Sequence, residues 1–438
     1  MTQIKRVFWI SLVVKILLVT VMPVTSDEAY YWVWSQNLQL SYYDHPPVVA
    51  WLLWLGEHIR LSNGMVRWPA VLLGQATLAI WLVLLKPYLT DQQRLIWLGL
   101  ALLSPLMGGS GLVVTPDLPL MFFYALSLWA FFEWQSQSSY KSAWFLGLCV
   151  GLGVSSKYMM VLFVLSLLPM LVVSPSLRRL FIRHFPILLA GVLIGSAPVW
   201  IWNLSNDFAS FKFQAAHGLG RKIWKPSWTI EYVLAQVGLI FPPVLYWAVK
   251  SRRRMPMEFS FLASIPLLFF LFTTFRGYVE ANWPICAYPS ILALAVAGYP
   301  QSKKSLRFTL ATWGILFAGL LMLILVRPQW TETTKLREFH QFDELAQKSR
   351  DLAPLFARSY QMAAKLYFEQ RRPVYKLRGM NRKDFFDYLE GSVPKDRRYF
   401  VAVEKSDVLP SPYVDLGHRL IRRVPVDETF EIWEMEAP

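Results

Sequence analysis

A chain of 438 residues that is 55% hydrophobic and only 17% charged carries more apolar surface than a water-soluble fold can hide, and its mean hydropathy is +0.35. A formal charge of +15 would suit a nucleic-acid binder, but the basic residues cluster in alternate loops between apolar runs. That pattern encodes membrane topology, so no nucleic-acid partner is expected.

In chain order, Lys5 and Arg6 precede an apolar run that reaches Val24. Pro23-Val24-Thr25-Ser26 has no small-x-small cleavage site, so the run is expected to be a retained signal anchor. Further apolar spans follow at 65–85, 95–113, 118–134, 143–156, 158–173, 185–204, 229–249, 258–275, 283–299 and 306–326. With the first run they make about eleven, each near the ~20 residues a bilayer requires, though some are short. Cys149 and Cys286 lie within these runs and read as small buried hydrophobes. Lys157 divides 143–173, which counts as two spans or as one tilted helix.

Charge chooses between them. With the N-terminus cytoplasmic, the inner loops hold Lys86 and Arg94, then Lys141, then Arg178, Arg179 and Arg183, then Lys250 and Arg252 to Arg254, then Lys303, Lys304 and Arg307. The positive-inside rule is met at every turn only if 143–173 is two spans. The loop 25–64, Thr115-Pro116-Asp117, Lys157 and the loops 205–228 and 276–282 then face outward. Within the first outer loop, residues 27–38 and 46–59 are expected to form short helices at the membrane surface. After about Arg327 the composition becomes ordinary and charged, with a helical pattern near 340–370 and strand-like runs at Tyr399–Val403 and Thr429–Glu434. The expected architecture is a polytopic α-helical membrane domain (1–326) followed by a small outward-facing α/β domain (327–438).

The stretch Thr25 to Pro47 concentrates the chemistry. Thr25-x-x-Glu28 matches a capping box, and Asp27 would sit at the positive end of a helix dipole. Both acids therefore have an ordinary structural explanation. Function is favoured by their company, because Asp44-His45 returns in the same loop and Asp117 opens another span on the same face. Asp117 also has a bland reading, as first-turn acid after Thr115 and Pro116. His45 and His217 could be ligands of a divalent metal alongside Asp44 or Glu28, although the histidines lack the tight spacing of a structural zinc site, and Asp44 with His45 could equally bind sugar hydroxyls. The outward cations are Lys157, Lys212, Arg221, Lys222 and Arg276. A charge ending a span is usually a snorkelling anchor. Lys157, between two short spans, is an ionisable group at depth, which normally has a partner and a purpose. Arg276, Glu280 and Asn282 share one short turn suited to a phosphate and a sugar together.

The order D-E-A-Y-Y-W, S-Y-Y-D-H-P-P, T-P-D-L-P-L, S-S-K-Y and V-E-A-N-W-P resembles bacterial GT-C membrane glycosyltransferases of the protein O-mannosyltransferase superfamily. Within it the chain is similar to enzymes that move aminoarabinose, galactosamine or galacturonic acid onto lipid A. Ser359-Tyr360-Gln361-Met362-Ala363 also matches a pattern of these proteins. The resemblance implies a polyprenyl-phosphate sugar donor, a lipid A or other envelope glycan acceptor, inversion at the anomeric carbon, and an active site on the periplasmic face of the bacterial inner membrane. It carries the catalytic acid onto Asp27, with Glu28 beside it, and the acid of the acidic-basic-Pro-Pro turn onto Asp44; Asp117, on the same face, is the third catalytic candidate by position. Asp44, His45, Lys157, Tyr158, His217, Arg276, Glu280 and Asn282 become substrate-binding candidates. Asp44-His45 departs from the Glu-Lys of the aminoarabinose enzymes.

A sugar on a lipid phosphate already has a good leaving group. Such an enzyme needs cations on the departing phosphate and a carboxylate for the acceptor's proton. The reading expects Asp27 as base and Lys157 with Arg276 on the phosphate, with a prenyl tail lying among membrane lipids and spans. A protein O-mannosyltransferase is the rival within the enzyme class. A flippase for a lipid-linked sugar is the rival outside it, but no internal repeat supports that.

Overall fold

The computed structural model describes residues 2–219, 224–298 and 303–438; the side chains of 217–219, 329 and 332 are likewise outside the description. The first helix, α1 (Thr2–Val21), is followed by a bend of 89° into α2 (Ser26–Gln36). Here the expected capping box forms: Thr25 Oγ1 accepts from Glu28 N, and Glu28 returns to Thr25 N. The cap permits the sharp turn, since it satisfies helix-end amides that in a continuous helix would donate to carbonyls of the preceding turn. α3 (Val48–His58) is the second surface helix expected from the sequence.

Then come α4 (Trp68–Leu84), α5 (Asp91–Leu103), α6 (Asp117–Gln137), α7 (Tyr140–Val154), α8 (Val161–Val173) and α9 (Pro175–Ser205). α10 (Ala209–Leu219), α11 (Pro226–Ile240), α12 (Pro242–Ser251), α13 (Met257–Thr273), α14 (Tyr288–Val296) and α15 (Lys303–Val326) complete the helical part. Two expected spans are corrected. The span 95–113 stops at Leu103, where Pro105 and the glycines at 108, 109 and 111 turn the chain back; Gly111 adopts φ +88. The span 229–249 breaks by 82° at Phe241, before Pro242-Pro243. Among the described residues, 64–84, 175–205 and 303–326 are each long and apolar enough to cross a membrane alone. The bent pairs around 21–26 and 241 pass the same test jointly, and several other apolar helices are shorter.

The region 143–173 resolves as two antiparallel legs. α6 ends and α7 begins beside the start of α9, where Trp134 Nε1 donates to His184 and the Tyr140 ring lies 4.6 Å from it. At the far end of α7, Ser155 Oγ donates to Gly195 O, late in α9, at 2.8 Å. α8 then returns, so that Ser174 shares a surface pocket with Gln135 and Ser138. Small residues allow the α7–α9 approach. A Cβ on Gly147 would meet Leu188 O at 2.1 Å, and one on Gly191 would meet Trp144 O at 2.4 Å. Gly151 and Gly195 repeat the contact one turn on, a small-xxx-small seam in which backbones pack directly.

Basic loops gather at one end of the bundle: Gln93 bonds Val296 O, Arg254 bonds Ala297 O, and Tyr88 packs on Phe132 and Phe259. The opposite end carries α2, α3, the 110–117 loop, Lys157 and the C-terminal domain. That domain holds α16 (Asp343–Lys348) and α17 (Tyr360–Gln370), with strands β1 (Leu355–Ala357), β2 (Tyr375–Lys376), β3 (Arg398–Glu404), β4 (Arg419–Pro425) and β5 (Phe430–Glu436). The strand order is β2-β1-β3-β5-β4, parallel through β1 and antiparallel around β5. The helical pattern near 340–370 is therefore interrupted by a strand. Its α17 packs on α2: Trp32 meets Tyr367 and Phe368 edge-on, and buried Lys365 donates to Val24 O at 2.7 Å. One apolar cluster runs from α2 and α3 into the sheet, fixing the domain over the first loop.

Candidate functional site

A cleft of about 590 Å³ lies where the acidic end of the bundle meets the C-terminal domain. Asp27, Asp44, His45, Asp117, Lys157, Glu280 and Asn282 all line it. These expected residues come from five separate segments.

Each carboxylate is held differently. Asp117, in the first turn of α6, accepts Lys157 Nζ at 2.6 Å and Asn282 Nδ2 at 3.1 Å. Lys157 reaches it because the chain breaks between α7 and α8, and both side chains are about nine-tenths buried. Enclosing either charge alone would be costly, and each supplies the other's counter-charge. Asp44 accepts the Tyr30 hydroxyl at 2.6 Å and an Arg382 guanidinium nitrogen at 2.7 Å, while Gln214 donates to its carbonyl. Arg382 also lies over the Tyr360 ring at 4.6 Å.

Asp27 has no such partner among the described residues. Its carboxylate accepts no hydrogen bond from the protein among the described residues, yet it is half-buried and faces the cleft. Burial pushes its pKa up to about 6; Glu338 adds to the rise, Arg382 opposes it, and Asp44 and Glu28 add smaller increments. An acid with free lone pairs and a raised pKa is a suitable proton acceptor near neutrality. Burial also raises Glu338, with Lys335 and Arg337 opposing.

Glu28 is a correction. It lies outside the cleft lining, 1% exposed, with both oxygens taken: Arg67 donates twice at 2.7 Å, and Val114 N, Thr25 N and Thr25 Oγ1 complete the shell. The fully buried Arg67 also binds the carbonyls of Met22 and Pro23. Glu28 thus ties the loop before Asp117 to the helix bearing Asp27, and has no lone pair left for a substrate proton.

Arg276 is a second correction. It is exposed at the end of α13 and does not line the cleft. Tyr158 is a third, because its hydroxyl pairs with Ser210 away from the cleft. The cations that do line it are Lys157, Arg382 and Lys335, the last 3.4 Å from Glu280. Arg382 was not foreseen: its loop belongs to the C-terminal domain, where buried Lys376 clamps it through Arg382 O, Asp384 and Asp387. The Ser359-Tyr360 pattern was the one sequence signal pointing to this region. The metal expectation finds a poor donor set. Asp44 is engaged by Arg382 and Tyr30, the His217 side chain lies outside the described residues, as do Arg221 and Lys222, and no group of three or more His, Cys, Asp or Glu among the described residues could hold an ion.

Residues 44–202 match the sequence family described as dolichyl-phosphate-mannose-protein mannosyltransferase. A lipid A galacturonosyltransferase, RgtD of Rhizobium johnstonii, is 30% identical over 309 residues, 66% of this chain. The matched region spans 63% of that relative's length. The fold is similar to crystal structures of ArnT from Cupriavidus metallidurans. The apo form has a TM-score of 0.66 at 15% identity, covering 99% of this chain and 98% of that one. The form bound to undecaprenyl phosphate has the same TM-score at 14% identity, covering 98% and 97%.

Proposed function

We propose that this chain is a GT-C membrane glycosyltransferase that transfers a sugar from a polyprenyl phosphate to a lipid A-type or other envelope glycan acceptor, at the periplasmic face of the bacterial inner membrane. The observation that carries the reading is a single cleft lined by Asp27, whose carboxylate has no hydrogen-bond or ion-pair partner among the described residues, and by two cations held by carboxylates, Lys157 and Arg382. Two names support the substrates: a relative acts on lipid A, and a structure of the same fold binds undecaprenyl phosphate.

In this mechanism the acceptor hydroxyl gives its proton to Asp27 as its oxygen bonds to the anomeric carbon. The bond from that carbon to the phosphate oxygen breaks, and polyprenyl phosphate leaves with the electron pair. One displacement inverts the carbon. Lys157 and Arg382 take the role first expected of Lys157 and Arg276, stabilising negative charge on the leaving phosphate. Asp117 and Asp44 hold those cations in place, and Asn282, Glu280 and His45 are positioned to meet sugar hydroxyls. A low-dielectric cleft makes fixed charges worth more than they would be in water.

Purified protein incubated with undecaprenyl-phosphate sugars and lipid A should yield lipid A heavier by one sugar residue in a mass spectrum. Unmodified lipid A alongside a glycosylated polypeptide would instead favour the protein O-mannosyltransferase reading, which the family match to 44–202 keeps in view.

A further inference from the structure

A second cavity of about 570 Å³ lies against the cleft, between the start of α10 and the C-terminal domain. Three chain segments make the dividing wall, and each sends neighbouring residues to both sides. Tyr43 lines the second cavity and Asp44 the cleft; Lys383 lines the second cavity and Arg382 the cleft; Phe213 lines both, with Gln214 in the cleft. A molecule seated in the second cavity is therefore one residue's width from the reacting groups.

Its lining has a definite chemistry. Tyr43 and Tyr388 pack 5.7 Å apart, with Phe213 4.8 Å from Tyr43, so aromatic faces form one side. Lys383 stands over them, its Nζ 4.8 Å from the Tyr388 ring and 5.8 Å from Tyr43. Lys212 faces the same space, and neither lysine has an acidic partner among the described residues. Asp207 is the single acid among the described lining residues, which together carry one net positive charge, and Asn206 adds an amide. Lysines recognise phosphate as point charges, and aromatic faces take the apolar C–H face of a pyranose.

We infer that this cavity is the acceptor subsite, binding the phosphorylated glycan headgroup of a lipid through Lys212 and Lys383 while Tyr43 and Tyr388 stack on a sugar ring. The inference rests on the glycosyl-transfer reading above and adds where the acceptor docks and that its phosphate is read. The donor phosphate has its own cations, Lys157 and Arg382, inside the cleft. Ser205, the last residue of α9, lines the cavity, and α9 is long and apolar enough to cross a membrane, which suits a headgroup whose acyl chains stay in the bilayer.

The test is steady-state transfer by the Lys212→Ala/Lys383→Ala double variant, with lipid A and with the same acceptor after phosphatase treatment. Separate titrations measure undecaprenyl-phosphate binding. Acceptor KM should rise about tenfold or more for the double variant, while undecaprenyl-phosphate affinity holds within about twofold. Dephosphorylated acceptor should give the wild type and the double variant the same raised KM. A Tyr388→Ala variant should raise KM for both acceptors. An unchanged acceptor KM overturns the assignment, as does an equal loss with dephosphorylated acceptor. A fall in undecaprenyl-phosphate affinity would give the cavity to the donor and overturn it too. Wild-type protein that transfers no sugar to lipid A would count against the functional reading itself, a result distinct from a subsite that fails in an active enzyme.

Discussion

Arg382 reaches out of the C-terminal domain and sets a guanidinium nitrogen 2.7 Å from Asp44, which lies 338 positions earlier in the chain. A basic side chain of the small domain thereby becomes part of a cleft otherwise built by the helical bundle. The guanidinium is partly exposed, so the pair contributes little to stability and its value lies in placing charge. Arg382→Ala is expected to lower kcat/KM by about 10²-fold through lost stabilisation of the departing phosphate. Thermal stability should change by less than about 1 kcal/mol. Arg382→Lys should recover only part of the loss, because an ammonium cannot serve Asp44 and a phosphate with the same fork. Kinetics beside a melting curve in detergent check both statements.

The raised pKa of Asp27 has a signed consequence. Its folded-state pKa of about 6 lies above the ordinary carboxylate value, so the fold holds that proton more tightly than the unfolded chain does. Stability from this group is present at low pH and is lost as pH rises towards 6. At neutral pH the ionised Asp27 costs about 3 kcal/mol. Activity runs the other way, with kcat/KM rising through an acid limb near pH 6 as the base ionises. Asp27→Asn should melt higher than wild type at pH 7 and lose that advantage at pH 4. Denaturation at the two pH values measures it.

The Glu28–Arg67 pair should behave as structure. Arg67→Met leaves a fully enclosed carboxylate without its cation, a change that typically costs about 3–5 kcal/mol. Glu28→Gln should cost comparably and loosen the 114–117 loop, since Val114 N loses its charged acceptor. The double variant should recover part of either single loss, and a double-mutant cycle on unfolding free energies reads the coupling. Independent, additive losses would mean the two groups are not acting as a pair.

Much of this arrangement was legible in the sequence wherever the signal is local. The cap at Thr25-x-x-Glu28 marks the start of α2, the basic loops distinguish two legs from one at 143–173, and Pro116-Asp117 marks the start of α6. Six of the expected polar residues beyond Asp27 also line the cleft with it. The misreadings have physical causes. Arg276 was grouped with Glu280 and Asn282 because they share a short turn, yet that turn directs them apart: Asn282 reaches Asp117 while Arg276 ends exposed. Glu28 looked like a second catalytic acid because its partner, Arg67, lies 39 positions away. Arg382 left no local trace, because only the packing of α17 on α2 carries its loop to Asp44.

The central claim is that Asp27 accepts the acceptor's proton in a cleft already holding the lipid-phosphate sugar. Its most direct test is a single-turnover measurement on purified Asp27→Asn and Asp27→Glu, pre-loaded with undecaprenyl-phosphate sugar and mixed with lipid A. The account predicts that Asp27→Asn binds the donor as wild type does but transfers its sugar at least about 10²-fold more slowly, with Asp27→Glu retaining measurable turnover. Transfer by Asp27→Asn at close to the wild-type rate would contradict it.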